Sequence, residues 1–183
     1  MRIALSAIAL LACTLCLPLS AAETPSPKEK LAASKAAWDK AAKESKGNYE
    51  YAVRFSSFTG AGNETVILVK DAKIVERRFR SFSGGPPRPV PPGEQPKEDG
   101  TSWTERGDEL GTHKEGAPLK TIEDLYAEAA KIVDQPLKDF ERFYFGVDKS
   151  GLLQHCFIVD TRIADDAPHK GVNIASIKLH TPK

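Results

Sequence analysis

Between Ser26 and Ser45 the apolar residues fall at helical intervals: Leu31, Ala37, Trp38, Ala41 and Ala42 recur among lysines and describe a narrow stripe centred on Trp38. Ser26-Pro27-Lys28-Glu29 supplies the start, with a hydroxyl cap, proline at the first helical position and a glutamate three residues after the cap to reach back. Gly47 supplies the stop. The pattern predicts a helix from about Pro27 to Ser45. The period then changes to two. Tyr49, Tyr51, Val53 and Phe55 alternate with Glu50, Ala52, Arg54 and Ser56, as in a half-buried strand. Thr59 to Asn63 is turn chemistry, Thr65 to Val69 is a β-branched run, and Asp71-Ala72-Lys73 allows a tight turn before Ile74 to Arg80. Three antiparallel strands in a meander are predicted.

Regular patterning stops from residue 81 to residue 119. Gly84-Gly85-Pro86-Pro87-Arg88-Pro89-Val90-Pro91-Pro92-Gly93 suits neither a helix nor a central strand, because its prolines lack the donor hydrogen. A polyproline II stretch in a long irregular insertion is expected, with Trp103 packing the second half back onto the domain. Thr121-Ile122-Glu123-Asp124 opens a second helix whose apolar face is Ile122, Leu125, Tyr126, Ala129, Ile132 and Val133, and Pro136 ends it near Asp134. Three more strands are predicted over Phe140 to Val147, Leu152 to Thr161 and Val172 to Leu179. The resulting order, αβββ-loop-αβββ, predicts an α+β fold: an antiparallel sheet of about six strands with two helices on one face.

The first 22 residues stand apart. Arg2, an apolar run from Ile3 to Leu17, Pro18 and the small residues Ser20, Ala21 and Ala22 have the layout of a secretory signal peptide. The expected organisation is a leader at 1–22 and a single domain at 23–183, exported to the periplasm or beyond. A lipoprotein anchored through Cys13 is the alternative reading, from Leu10-Leu11-Ala12-Cys13. Cys13 and Cys16 imitate a C-x-x-C motif, but a thiol on a discarded leader has no folded helix start to lower its pKa. The apolar run is shorter than the roughly 20 residues that span a bilayer, and no later segment is apolar enough for a membrane span.

Removing the leader takes away one basic residue and no acid, which leaves 25 basic and 25 acidic groups and no net charge. Attraction to nucleic acid is therefore not implied. A domain of about 160 residues buries enough surface to fold without disulfides or metals, and Cys156 is the lone thiol left after the leader.

Chemistry concentrates in Asp148 to Lys170, which holds four aspartates, two histidines and Cys156. Asp148 falls in one turn and Asp165 and Asp166 in another, at opposite ends of a meander. Asp160, Asp165 and Asp166, with His169 nearby, are the subset able to approach one another, but they lack the spacing of a calcium loop. Acidic turn residues are the expectation. Cys156 has His155 beside it, yet strand neighbours point to opposite faces, and only tertiary folding brings His113 or His180 to the sulfur. An inert core cysteine is expected. No nucleophile elbow, S-x-x-K set, H-E-x-x-H, phosphate loop or dinucleotide fingerprint occurs. Tyr49, Tyr51 and Phe55 read as core in preference to a stacking face, and Arg77, Arg78 and Arg80 as an exposed basic strand face.

The tryptophan-bearing helix leading into Tyr49-Glu50-Tyr51, then Thr121-Ile122-Glu123-Asp124-Leu125-Tyr126, Asp148-Lys149-Ser150-Gly151-Leu152-Leu153, and Asp160 followed by Asp165-Asp166, together resemble a bacterial domain-of-unknown-function family numbered 6174. The resemblance covers about Trp38 to Leu179 and implies a small exported protein or lipoprotein. That family often carries paired cysteines after the first strand, where this chain has Ser56-Ser57-Phe58, and a proline where it has Leu153. The resemblance implies no activity and no catalytic residue.

These readings predict an exported, non-catalytic binding domain of the cell envelope with an envelope or extracellular protein as partner, using the Pro-rich segment and the neighbouring sheet edge. The alternative is a small-ligand or divalent-cation binder, with a hydrolase behind both. No catalytic, cofactor-binding or metal-binding residue is assigned from sequence.

Overall fold

A computed structural model describes residues 24–83, 100–163 and 169–180. The chain runs α1 (Pro27–Glu44), β1 (Tyr49–Ser56), β2 (Gly62–Lys70), β3 (Lys73–Phe82), β4 (Ser102–Arg106), a short 3-10 turn (Gly107–Glu109), α2 (Ile122–Val133), β5 (Glu141–Val147), β6 (Leu153–Asp160), β7 (Lys170–Asn173) and β8 (Ser176–Leu179). The fold is α+β, with two helices and antiparallel strands.

Both helices begin as their sequences predict. Ser26 Oγ accepts the Glu29 amide while Glu29 accepts the Ser26 amide, and Thr121 and Asp124 make the same reciprocal pair at α2. At the other end of α1, Lys46 and Gly47 both take left-handed backbone, and the Gly47 amide reaches back to the Ala42 carbonyl. That closure satisfies carbonyls the helix leaves open.

The strands form two sheets where one was expected. A five-stranded sheet has the order β4-β3-β2-β1-β8, and a three-stranded sheet the order β5-β6-β7. Two features change the expected count of about six. The insertion 81–119 contributes β4, which pairs with β3 from Glu76↔Arg106 to Arg80↔Ser102. The final strand, expected as one from Val172 to Leu179, divides at Ile174 and Ala175. Ile174 donates to the Gln154 carbonyl of β6, and Ala175 donates to the Ala52 carbonyl of β1. One stretch of chain thus serves two sheets because its successive amides find partners on different strands.

Side chains from both sheets and both helices meet in one core: Leu31, Trp38, Tyr49, Tyr51, Ile67, Val69, Ile122, Ala129, Leu153, Cys156, Ile158 and Val172. Trp38 meets Tyr49 edge-on, with centroids 4.9 Å apart. Their polar tips converge on Glu123 in the first turn of α2: Trp38 Nε1 donates at 3.0 Å and the Tyr49 hydroxyl at 3.3 Å. The Tyr126 hydroxyl accepts the Leu153 amide and pairs with Ser34, tying α2 to α1 and β6. Burial pushes the phenols of Tyr49, Tyr51 and Tyr126 above their ordinary range. Tyr49 and Tyr51 are core residues as expected, whereas Phe55, further along β1, is about half exposed.

Candidate functional site

The charged centre of the large sheet was not legible as such in the sequence. Arg77, expected on an exposed basic face, is buried: its side chain is 4% exposed and that of its partner Glu105 is 1% exposed. Period two explains the correction. On β3, Arg77 shares its face with Phe79, which packs inward, while Arg78 and Arg80 point to solvent. The guanidinium grips the carboxylate through two bonds, Nε to Oε2 at 2.8 Å and Nη2 to Oε1 at 2.9 Å. Its remaining donors reach the carbonyls of His113 and Ala117. Glu105 also accepts the amides of Gly111 and His113, and His113 Nδ1 lies 2.9 Å away. Arg77 and these donors hold the Glu105 carboxyl well below the usual carboxylate range, against the upward push of burial.

Trp103 packs the second half of the insertion back onto the domain, as expected, and does so over this pair, stacking on Phe79 at 5.2 Å and on His113 at 4.2 Å, with the Arg77 guanidinium 4.8 Å from its ring. A carboxylate saturated by this many donors has no lone pair left for proton transfer. The cluster is a clamp holding the second half of the insertion against β3. At the stem of the insertion the Ser81 amide donates to the Thr101 carbonyl and the Thr101 amide to Ser81 Oγ. Residues 84–93, the expected binding element, lie outside the described residues.

Among the described residues, the polar side chains of Asp148 to Arg162 are spread along the β5-β6 hairpin and its ends. Asp148 accepts the amides of Ser150 and Leu152, which shapes the β5-β6 turn. Asp160 is taken up by Arg162 through its backbone amide, Nε and Nη2, and these bonds lower its pKa to about 2. Asp165 and Asp166 lie outside the described residues. His169 stacks on Phe157 at 4.3 Å instead of turning toward Asp160. No group of three potential metal ligands gathers among the described residues.

Cys156 faces the core and its thiol lies 3.6 Å from the Ala129 carbonyl; burial raises its pKa to about 11. His155 lies on the opposite face of β6, with its ring above Gly146 of β5, where an added Cβ would meet it at 2.4 Å. His113 belongs to the Glu105 clamp, and His180 lies 3.9 Å from Glu50. None of the three stands as base to this sulfur.

The outer faces of the two sheets differ in chemistry. Across the large sheet runs a chain of ion pairs, Arg106 to Glu76 to Arg78 to Glu50 to Lys178, with separations of 2.6 to 3.3 Å. Across the small sheet lies a cluster of rings: Phe157 at its centre, His169 stacked on it, Tyr144 at 5.4 Å and His155 at 5.5 Å. Glycines stand opposite two of them, Gly146 across from His155 and Gly171 across from Phe157, so no neighbouring side chain covers those rings from these positions. Sequence reasoning recorded the histidines but not their gathering, although Tyr144, His155 and Phe157 each sit at outward positions of a period-two pattern.

Compared with protein-family models, curated proteins and solved structures, the chain matches none. Among the described residues no helix is long and apolar enough to cross a membrane, which leaves strands aside.

Proposed function

We propose that the protein is a non-catalytic binding domain of the cell envelope, exported by the leader read at residues 1–22, with an envelope or extracellular protein as its partner. The observation that carries this reading is the contrast between the two outer faces. Ion pairs cover the large sheet and favour water. The small sheet presents Tyr144, His155, Phe157 and His169 as one patch, with Tyr144 and His169 exposed. Aromatic rings with polar tips are the side chains enriched where protein interfaces carry most of their energy. The ionisable groups displaced from their ordinary pKa range are core phenols, the Glu105 carboxyl sealed against Arg77, a buried thiol and locally paired groups at a helix start and a turn, which is the pattern of a scaffold. The resemblance to the family numbered 6174 agrees with export and adds no activity.

Replacing the two exposed rings together, Tyr144→Ser with His169→Ser, tests the reading. Captured from the native envelope fraction by the wild-type protein, the partner is expected to be lost by the variant while the melting temperature stays within a few degrees. Equal capture by a folded variant removes this face as the binding surface.

A further inference from the structure

The small sheet ends in an open edge. Strand β5 pairs with β6 on one side, and among the described residues no strand pairs with it on the other. The Thr161 amide donates to the Phe140 carbonyl, so the alternation of an antiparallel ladder turns the backbone groups of Arg142 and Tyr144 toward β6. Those of Phe143 and Phe145 therefore point away from the sheet, while Glu141 donates its amide to the Lys138 carbonyl and its carbonyl accepts from Arg142 Nη1. The Ile174 amide bonded to the Gln154 carbonyl fits the same alternation on the far side of β6.

Edges of this kind are ordinarily blunted by lysine, proline or brevity. Of the other edge strands, β4 is five residues long and β7 and β8 are four residues each. The centre of β5 reads Phe143-Tyr144-Phe145-Gly146-Val147, without charge or proline, and Tyr144 and Val147 are 49% and 42% exposed. Alongside it runs an apolar groove of about 450 Å³ between β5 and α1, floored by Phe145 and Val147 and walled by Ala33 and Ala37.

We infer that this edge is the interface of a two-fold dimer in which β5 of one copy pairs antiparallel with β5 of another. The strand is complementary to itself. Pairing centred on Tyr144 sets Phe143 against Phe145 twice, so the outward-pointing backbone groups of these two residues meet their equivalents. Arg142 then lies across from Gly146, which has no side chain to obstruct it. The phenylalanines fall on the face that carries the groove, and the small side chains of Ala33 and Ala37 leave room for the second copy there. Because the axis makes the contact isologous, the assembly closes at two. Tyr144 belongs to both the edge strand and the outer patch, whereas Val147 lies outside the patch, so a change at Val147 separates failure of the dimer from failure of the binding reading.

Sedimentation equilibrium of the exported protein across the micromolar range tests the dimer. Tyr144 sits on the axis, so Tyr144→Lys or Tyr144→Glu places like charges directly opposite each other, and each variant is expected to sediment as a monomer. An equal mixture of the two is expected to recover dimers, because lysine then faces glutamate. As a second probe outside the ring patch, Val147→Glu sets an acid across from Glu141 and is expected to weaken association about tenfold, a difference of about 1.4 kcal/mol. A monomeric wild-type protein, dimers unaffected by either change at Tyr144, open-ended polymers, or a mixture no stronger than its components would each overturn the inference.

Discussion

Arg77 of β3 and Glu105 of β4 hold each other through two near-parallel hydrogen bonds of 2.8 and 2.9 Å, sealed from solvent beneath Trp103. The pair joins a strand of the meander to a strand inside the insertion, so the attachment of residues 100–119 depends on it. Removing either partner leaves a buried charge without its counter-ion. Arg77→Met or Glu105→Leu alone is expected to cost about 3–5 kcal/mol in urea unfolding, whereas the two together are expected to cost less than either single change. Equal additive losses across that double-mutant cycle would contradict the coupling.

The same pair sets a pH dependence. Glu105 has a folded-state pKa below its unfolded value of about 4.3. A depressed carboxylate binds its proton more readily in the unfolded chain, so its stabilisation is complete above the unfolded value and drains away as pH falls below it. Unfolding free energy measured from pH 7 downward is expected to fall in the acid limb, by up to about 1.4 kcal/mol per pH unit for each proton taken up on unfolding. The Arg77→Met, Glu105→Leu variant is expected to show a shallower acid limb than the wild type, and an identical limb would remove Glu105 as its source.

Glu123 joins the helices to β1 by accepting from both Trp38 and Tyr49. Glu123→Ala strands a buried indole N–H and a phenol, at an expected cost of about 1–3 kcal/mol. Glu123→Gln keeps an acceptor oxygen at the same reach and is expected to lose less. Chemical denaturation of the two variants side by side distinguishes this bridging role from a simple charge effect at a helix start, for which Gln and Ala would behave alike.

Cys156 is fully buried, with its thiol raised to about 11. A thiol-specific chromogenic reagent at pH 8 is expected to leave the native protein unlabelled and to modify one cysteine per leaderless chain once denaturant is added. Rapid native labelling would show that the strand opens on its own, or that the thiol is activated.

Much of the local structure was written in short-range patterns. The caps of α1 and α2, the alternation of Tyr49 and Tyr51, and the hairpin around Asp148 to Leu152 each depend on residues within a few positions of one another. The Arg77 clamp was missed in the sequence, although part of its signal is there. Alternation alone separates Arg77 from Arg78 and Arg80 by face, and Trp103 with Glu105 marks the inward side of β4. What alternation does not convey is that an inward arginine and an inward glutamate, 28 residues apart, meet.

By itself, then, the order of residues determined where helices start, which strand positions face inward and which turns bend, because those preferences act through neighbouring backbone and side-chain contacts. Tertiary structure alone decided three things: the partnering of Arg77 with Glu105, the division of the last strand between two sheets at Ile174 and Ala175, and the gathering of His155, Phe157, His169 and Tyr144 on one face. Each depends on which distant strand comes alongside. That choice is made by burial of the shared core as a whole, and no local window of sequence contains it.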